Sequence, residues 1–197
     1  SSAASDVYKR QGTNLNNVYV ADLKVTNGQA LYTSTFRPSF TPQSATSNTT
    51  LLTFQTNGGA NNSTFYDQSY LNNFISRSGD VTSGTFSPYG DNFSNYFNGS
   101  TDYLTTPDNA IFTLGTNNFT YEAWVYMVSY SASTGWVFGQ TSSTFTAAAT
   151  SFCLQVDSTG AVGSAVGVGS SFVSVTSATK LQLNKWYHLA TVRDGTT

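Results

Sequence analysis

Glu122 is the only glutamate of the chain, in the run Phe119-Thr120-Tyr121-Glu122-Ala123-Trp124-Val125-Tyr126. Hydrolysis of a glycosidic bond calls for two carboxyl groups flanking that bond, one acting as acid and the other as base or nucleophile. Alternate positions of one strand would supply such a pair, but Thr120 and Trp124 stand there, so this strand holds no acid and nucleophile together. Any Ser-His-Asp arrangement would have to use His188, the single histidine. Alternation places it on one face with Trp186, Ala190 and Val192, where a histidine is expected to be packed and hydrogen-bonded. One histidine and one cysteine, Cys153, cannot build a tetrahedral zinc site, and a lone cysteine closes no internal disulfide. Cys153 lies in the alternating run 151–156 and reads as a small packed side chain. There is also no nucleophile elbow, phosphate-cradling loop or HExxH motif, so the chain is not expected to be an enzyme.

Recognition is the other chemistry these residue types allow. Aromatic rings stack on sugar faces beside Asn and Asp hydrogen-bonders, and Trp124, Tyr126, Tyr130 and Trp136 are candidates for it. Burial in a sandwich core is the alternative reading of each of the four. Tyr66, Tyr70, Tyr89 and Tyr103 fall in polar stretches and are expected to be exposed. Eight basic and ten acidic residues, scattered without runs, give a net charge of −2 and no footprint for a phosphate backbone, so nucleic acid is not an expected partner. No apolar run approaches the ~20 residues a membrane-crossing helix needs, so membrane insertion is not expected.

The elements that would position these residues are strands. Charged residues make up 9% of the chain, against roughly 25% in an ordinary domain, and Ser, Thr, Asn and Gly take their place. One glutamate and few lysines leave little helix-forming material, whereas aromatics reach 15% and need a core. Val18, Val20, Leu23 and Val25 make a strand whose alternation slips near Ala21-Asp22, the mark of a bulge. After the turn Asn27-Gly28, residues 30–36 are expected to continue extended, and the Pro38, Pro42 and Ser/Thr-rich run to Thr50 reads as a linker. Residues 51–54 form a short strand and 56–73 a loop. Asn98-Gly99 suggests a hairpin turn or a bulged strand between Tyr96-Phe97 and Tyr103-Leu104. From Phe119 to Val128, Phe119, Tyr121, Ala123, Val125 and Met127 share one apolar face. Further strands over 136–138, 152–156, 172–175 and 186–192, parted by turns at 157–160 and 183–185, complete the pattern of an all-β antiparallel sandwich.

Three segments carry a resemblance: Tyr96-Phe97-Asn98-Gly99-Ser100-Thr101-Asp102-Tyr103-Leu104, the Phe119 to Tyr126 run, and Trp186-Tyr187-His188-Leu189-Ala190-Thr191-Val192-Arg193-Asp194-Gly195. They resemble successive strands of laminin-G-like domains of the concanavalin A-like lectin/glucanase superfamily, which implies a jelly-roll sandwich incomplete at its C-terminus. Residues 19–36 resemble the closing strand and tail of such a domain. The expected organisation is therefore a leader at 1–11, disordered or read from sequencing adapter; the end of one repeat at 12–41; a linker at 42–47; and a truncated second repeat at 48–197. Residues 17–36 could then pair with the following repeat, whose edge would otherwise stand open.

The resemblance also implies a calcium site, because many laminin-G-like domains bind the ion at the sandwich rim. Asp67, Ser69, Asn72 and Asn73 offer oxygens in a loop similar to the family's Asp-Ser-rich loop, but only Asp67 is anionic, and Asx-turn chemistry is the alternative. No other cofactor is expected. The function implied is a non-catalytic recognition module for glycan or another surface polymer, next to neighbouring repeats, in a phage fibre or bacterial surface protein that is extracellular or virion-associated. A structural spacer repeat without a ligand is the alternative.

Overall fold

Alternation along the run from Phe119 to Ser129 sets the architecture: Phe119, Tyr121, Ala123, Val125 and Met127 are buried in one core, and Thr120, Glu122, Trp124, Tyr126 and Val128 face the other way. A computed structural model describes residues 6–8, 16–55, 63–84, 86–90, 94–141 and 152–195. Its strands in chain order are β1 (Asp6–Tyr8), β2 (Asn17–Asn27), β3 (Thr49–Thr53), β4 (Ser76–Ser78), β5 (Thr82–Gly84), β6 (Ser94–Asn98), β7 (Tyr103–Thr106), β8 (Phe119–Ser129), β9 (Gly135–Thr141), β10 (Phe152–Val156), β11 (Ala161–Val168), β12 (Ser171–Lys180) and β13 (Trp186–Arg193). One 3-10 turn, Ala110–Phe112, caps the core with the buried Phe112.

The strands form the expected antiparallel sandwich. One sheet has seven strands in the order β12-β11-β10-β9-β1-β7-β4; the other has six, ordered β13-β8-β2-β6-β5 with β3 also on β2. Between them Tyr121 packs against Phe138 and Phe152, with centroids 5.6 and 5.2 Å away. Its buried hydroxyl is shared with Ser164 and donates to the Cys153 carbonyl, so this polar atom inside the core is satisfied.

β2 lies in the middle of the six-stranded sheet, paired with β8 on one side and with β6 and β3 on the other. The strand part of 17–36 thus pairs within the same sheet as β3, β6 and β8. The expected bulge falls between Ala21 and Lys24, where Asp22 takes a left-handed φ of 55°. The strand ends at Asn27, and residues 28–48 form no strand; the extended continuation over 30–36 is corrected to an irregular segment laid over the outer face of the sheet. The stretch expected as a linker at 42–47 is tied to that sheet, with Gln43 bonded to Asp22 and Ser44 to Lys24.

Asn98-Gly99 is not a hairpin turn. β6 pairs in the six-stranded sheet and β7 in the seven-stranded one, so the turn, with Gly99 at φ 74°, carries the chain from one sheet to the other. Asp102 fixes this corner by accepting from the backbone N–H groups of Asn98 and Asp80. Gly79 fits beside it only without a side chain, since a Cβ would meet Asp102 Oδ1 at 2.3 Å. Of the leader expected at 1–11, Asp6–Tyr8 pairs with β7 and β9 instead of fraying; the rest lies outside the described residues.

Candidate functional site

The outer face of the six-stranded sheet carries a buried polar centre and a row of aromatic rings. Glu122 projects there from β8 and is 0% exposed. From the neighbouring β13, His188 places Nε2 2.9 Å from Glu122 Oε2, its own side chain 4% exposed. The histidine is thus packed and hydrogen-bonded, as its strand position predicts. Tyr32, from the irregular segment after β2, donates its hydroxyl to the same oxygen at 2.7 Å. Glu122 Oε1 is buried and has no donor among the described residues. Lys24 stands opposite Glu122 in the β2–β8 register, but its ammonium donates to the Ser44 carbonyl at 3.0 Å. Burial holds Lys24 below the ordinary lysine range, while the Glu122 and Asp22 charges pull it back up.

The bulge turns a second carboxyl group onto this region. Asp22 accepts from the Tyr89 hydroxyl at 2.6 Å, from the Gln43 backbone N–H at 3.1 Å and from the Gln55 amide. Burial pushes its pKa up against these three donors. Burial likewise raises Tyr89, and the Asp22 carboxylate adds to the shift, so the phenol remains a donor. Left-handed backbone costs a non-glycine residue about 1 kcal/mol or more, and here the strain comes with three donors converging on one carboxyl group.

Register builds the aromatic row: Trp186 lies opposite Tyr126 in the β13–β8 pair, Tyr126 opposite Tyr19 in β8–β2, and Tyr19 opposite Tyr96 in β2–β6. Ring centroids along it are 5.5, 6.0 and 4.9 Å apart. Phe86 sits across the row, 4.7 Å from Tyr126, 5.2 Å from Trp186 and 5.3 Å from Tyr19. Trp124 joins the row to the polar centre, 5.2 Å from His188 and 6.1 Å from Tyr89. Every ring of the row is half-buried, so part of each reaches solvent, and Trp186 Nε1 has no acceptor among the described residues.

Of the expected ligand-binding residues, Tyr89, Trp124 and Tyr126 meet on this face. Tyr66 and Tyr70 are exposed, as expected, but in the loop around Asp67. Tyr103 is half-buried on β7 of the other sheet, and Tyr130 donates its hydroxyl to the Leu181 carbonyl at 2.6 Å. Trp136 is buried with Cys153 and Ala165 on the side of the seven-stranded sheet turned away from the core, so its reading as a sugar platform gives way to packing. Sequence reasoning missed Tyr19, Tyr96 and Phe86 and singled out Trp186 only as a neighbour of His188. Tyr19 sits where β2 alternation could have shown it; Phe86, in an irregular stretch, carries no such signal.

The residues expected to hold calcium do not fit it. Asp67 Oδ1 accepts from the Leu52 and Ser69 N–H groups, and Oδ2 from the Ser69 hydroxyl and from the Asn73 backbone and amide. These donors present hydrogens, not lone pairs, to the place a cation would take. Asn72 takes a left-handed φ of 47° and is exposed. No group of three or more His, Cys, Asp or Glu able to hold a metal occurs among the described residues.

Two antiparallel sheets stacked over one apolar core, with the polar and aromatic side chains gathered on an outer face, define a concanavalin A-like sandwich. A laminin-G-like family model, described as the concanavalin A-like lectin/glucanases superfamily, matches residues 98–197, and the chain belongs to this family. Searches of curated proteins and of solved structures return no match. The family defines a binding-type module, and laminin-G-like domains are generally non-catalytic.

Proposed function

We infer that the chain is a recognition module that binds carbohydrate, as a free glycan or a cell-surface polymer, on the outer face of the six-stranded sheet. The observation that carries this reading is the row Trp186–Tyr126–Tyr19–Tyr96, a set of partly exposed rings along which successive sugar units could stack, with the Asp22 and Glu122 centre at its side. Stacking on such rings combines apolar contact with weak polar attraction, and each ring contributes on the order of 1 kcal/mol. The two carboxyl groups do not favour hydrolysis: the oxygens of Asp22 are engaged by Tyr89, Gln43 and Gln55, and Glu122 is sealed from solvent. No cofactor has a role in this reading. The setting we propose is a phage fibre or bacterial surface protein, extracellular or virion-borne, with further laminin-G-like repeats as neighbours, residues 12–41 being the end of one repeat.

A glycan array probed with the folded chain tests this. Consistent hits that fall at least tenfold in the Trp186→Ala variant, with its melting transition retained, are the expected result. Silence from a folded sample would favour a spacer repeat without a ligand.

A further inference from the structure

Residues 29–45 lie over the polar centre without belonging to the sheet. Backbone bonds anchor the segment only at its ends, where Asn27 and Asn48 meet and Thr46 accepts from Thr49. Between them the attachments among the described residues are bonds that involve side chains: Thr120 Oγ1 accepts from Leu31 N–H at 2.8 Å and donates to the Gln29 carbonyl at 3.5 Å, Tyr32 Oη donates to Glu122 Oε2 at 2.7 Å, Gln43 N–H to Asp22, the Gln55 amide to the Gln43 carbonyl at 2.7 Å, and Lys24 to the Ser44 carbonyl. Tyr32 and Phe36 stack with centroids 3.6 Å apart and planes 5° off parallel, and both present their faces or edges to His188, at 6.4 and 5.9 Å. Phe40 at the far bend is 87% exposed. A segment held by a few side-chain bonds, with apolar rings left in water, belongs to the least stable parts of a fold.

Glu122 is poorly served by this cover. Tyr32 and His188 both meet Oε2, while Oε1 is buried with no donor among the described residues. A buried acceptor left unpaired is costly, more so when the group is charged. One phenol brings one hydrogen; two adjacent hydroxyls bring two, spaced to reach both oxygens of a carboxylate.

We propose that the Tyr32–Phe36 stack plugs a hydroxyl-binding subsite, and that a saccharide with a vicinal diol displaces Tyr32, takes both oxygens of Glu122 and releases residues 29–43 from the face. The inference rests on the reading of this face as a carbohydrate surface and adds to it which group the sugar seeks and which segment must move. Trp124, beside His188, then offers a ring to the same sugar.

Tyr32→Phe keeps the stack with Phe36 and removes only the competing hydroxyl. Binding of lactose, maltose and cellobiose is followed by calorimetric titration, and amide exchange across 29–43 is read with and without each sugar. Tyr32→Phe is expected to bind at least one of them about tenfold more tightly than the parent chain, the scale of one lost competing hydrogen bond to a charged group. Sugar binding is expected to speed exchange over 29–43 in the parent, and Glu122→Gln to lose most of the affinity. Phe36→Ala, which weakens the stack and leaves Glu122 untouched, is expected to shift affinity in the same direction as Tyr32→Phe and serves if that variant does not fold. Binding with unchanged exchange over 29–43 and equal affinity of both variants would overturn the plug and leave the carbohydrate reading standing. Failure of the parent and both folded variants to bind these probes, together with silence on the array, would overturn both.

Discussion

Asp67 shows how the same residue types can serve a metal or replace one. The polar loop and its single carboxylate were legible in the sequence; the fact that the donors come from backbone N–H groups of Leu52, Ser69 and Asn73 was not, because main-chain direction leaves no trace in residue type. A buried carboxylate that organises five donors holds the loop to β3, and removing it strands those donors. Asp67→Ala is expected to cost about 3–5 kcal/mol, seen as a melting point lower by roughly 10 °C for a chain of this length. The parent melt is expected to be the same in millimolar calcium and in chelator; a rise with calcium would show that the ion displaces the N–H donors. Glu122 teaches the converse. Its isolation on β8 was visible in sequence, whereas its partners, Tyr32 and His188, stand 90 and 66 positions away and no local pattern joins them.

At the scale of elements, strict period-two alternation made β8 readable to the residue, and the slip at Ala21-Asp22 located the bulge in β2. Where alternation failed the reading failed too: residues 30–36 carry β-prone types but form no strand and reach β8 only through its Thr120 and Glu122 side chains, and Asn98-Gly99 joins two sheets because each flanking strand finds other partners. β12 is the element most at odds with its surroundings. All ten of its residues are exposed, it pairs only with β11 among the described residues, and it has no charge before Lys180. Val175 points toward the gap beside β13, yet is 62% exposed. A long edge strand with no charge in its first nine residues is open to pairing with another chain. Val175→Lys is therefore expected to slow concentration-dependent association in light scattering several-fold while moving the melting point by less than about 2 °C, since little buried area is lost. Equal association of parent and variant would mean that β12 is not the sticking edge.

The whole molecule gathers most of its shifted titrations on the alkaline side. Burial raises Tyr32, Tyr89 and Tyr121 well above the ordinary phenol range, and pushes the Cys153 thiol up to about 12. In the unfolded chain the same groups lose their protons near pH 8.5 for the thiol and about 10 for the phenols. Between those values and the raised ones the folded state binds more protons than the unfolded state, so stability falls as pH rises. Lys24 acts in the opposite sense, because its depressed pKa makes the unfolded state the better proton binder below its ordinary value. Four phenols, Tyr130 being raised by burial as well, and one thiol against one ammonium leave a net loss, so the urea midpoint is expected to hold through neutral pH and to decline steadily above about pH 9. Tyr89→Phe removes one of these five contributors and flattens that decline, although it also costs Asp22 a donor and lowers the midpoint at neutral pH. Over the same range Cys153 is expected to resist a thiol reagent in the folded chain and to react at once in urea, because the thiolate forms only when the residue leaves its packing against Trp136 and Ala165. A midpoint that stays level from pH 9 to 11 would mean that these groups titrate in the folded chain as they do in the open one, and that the core around Tyr121 is wetter than its burial implies.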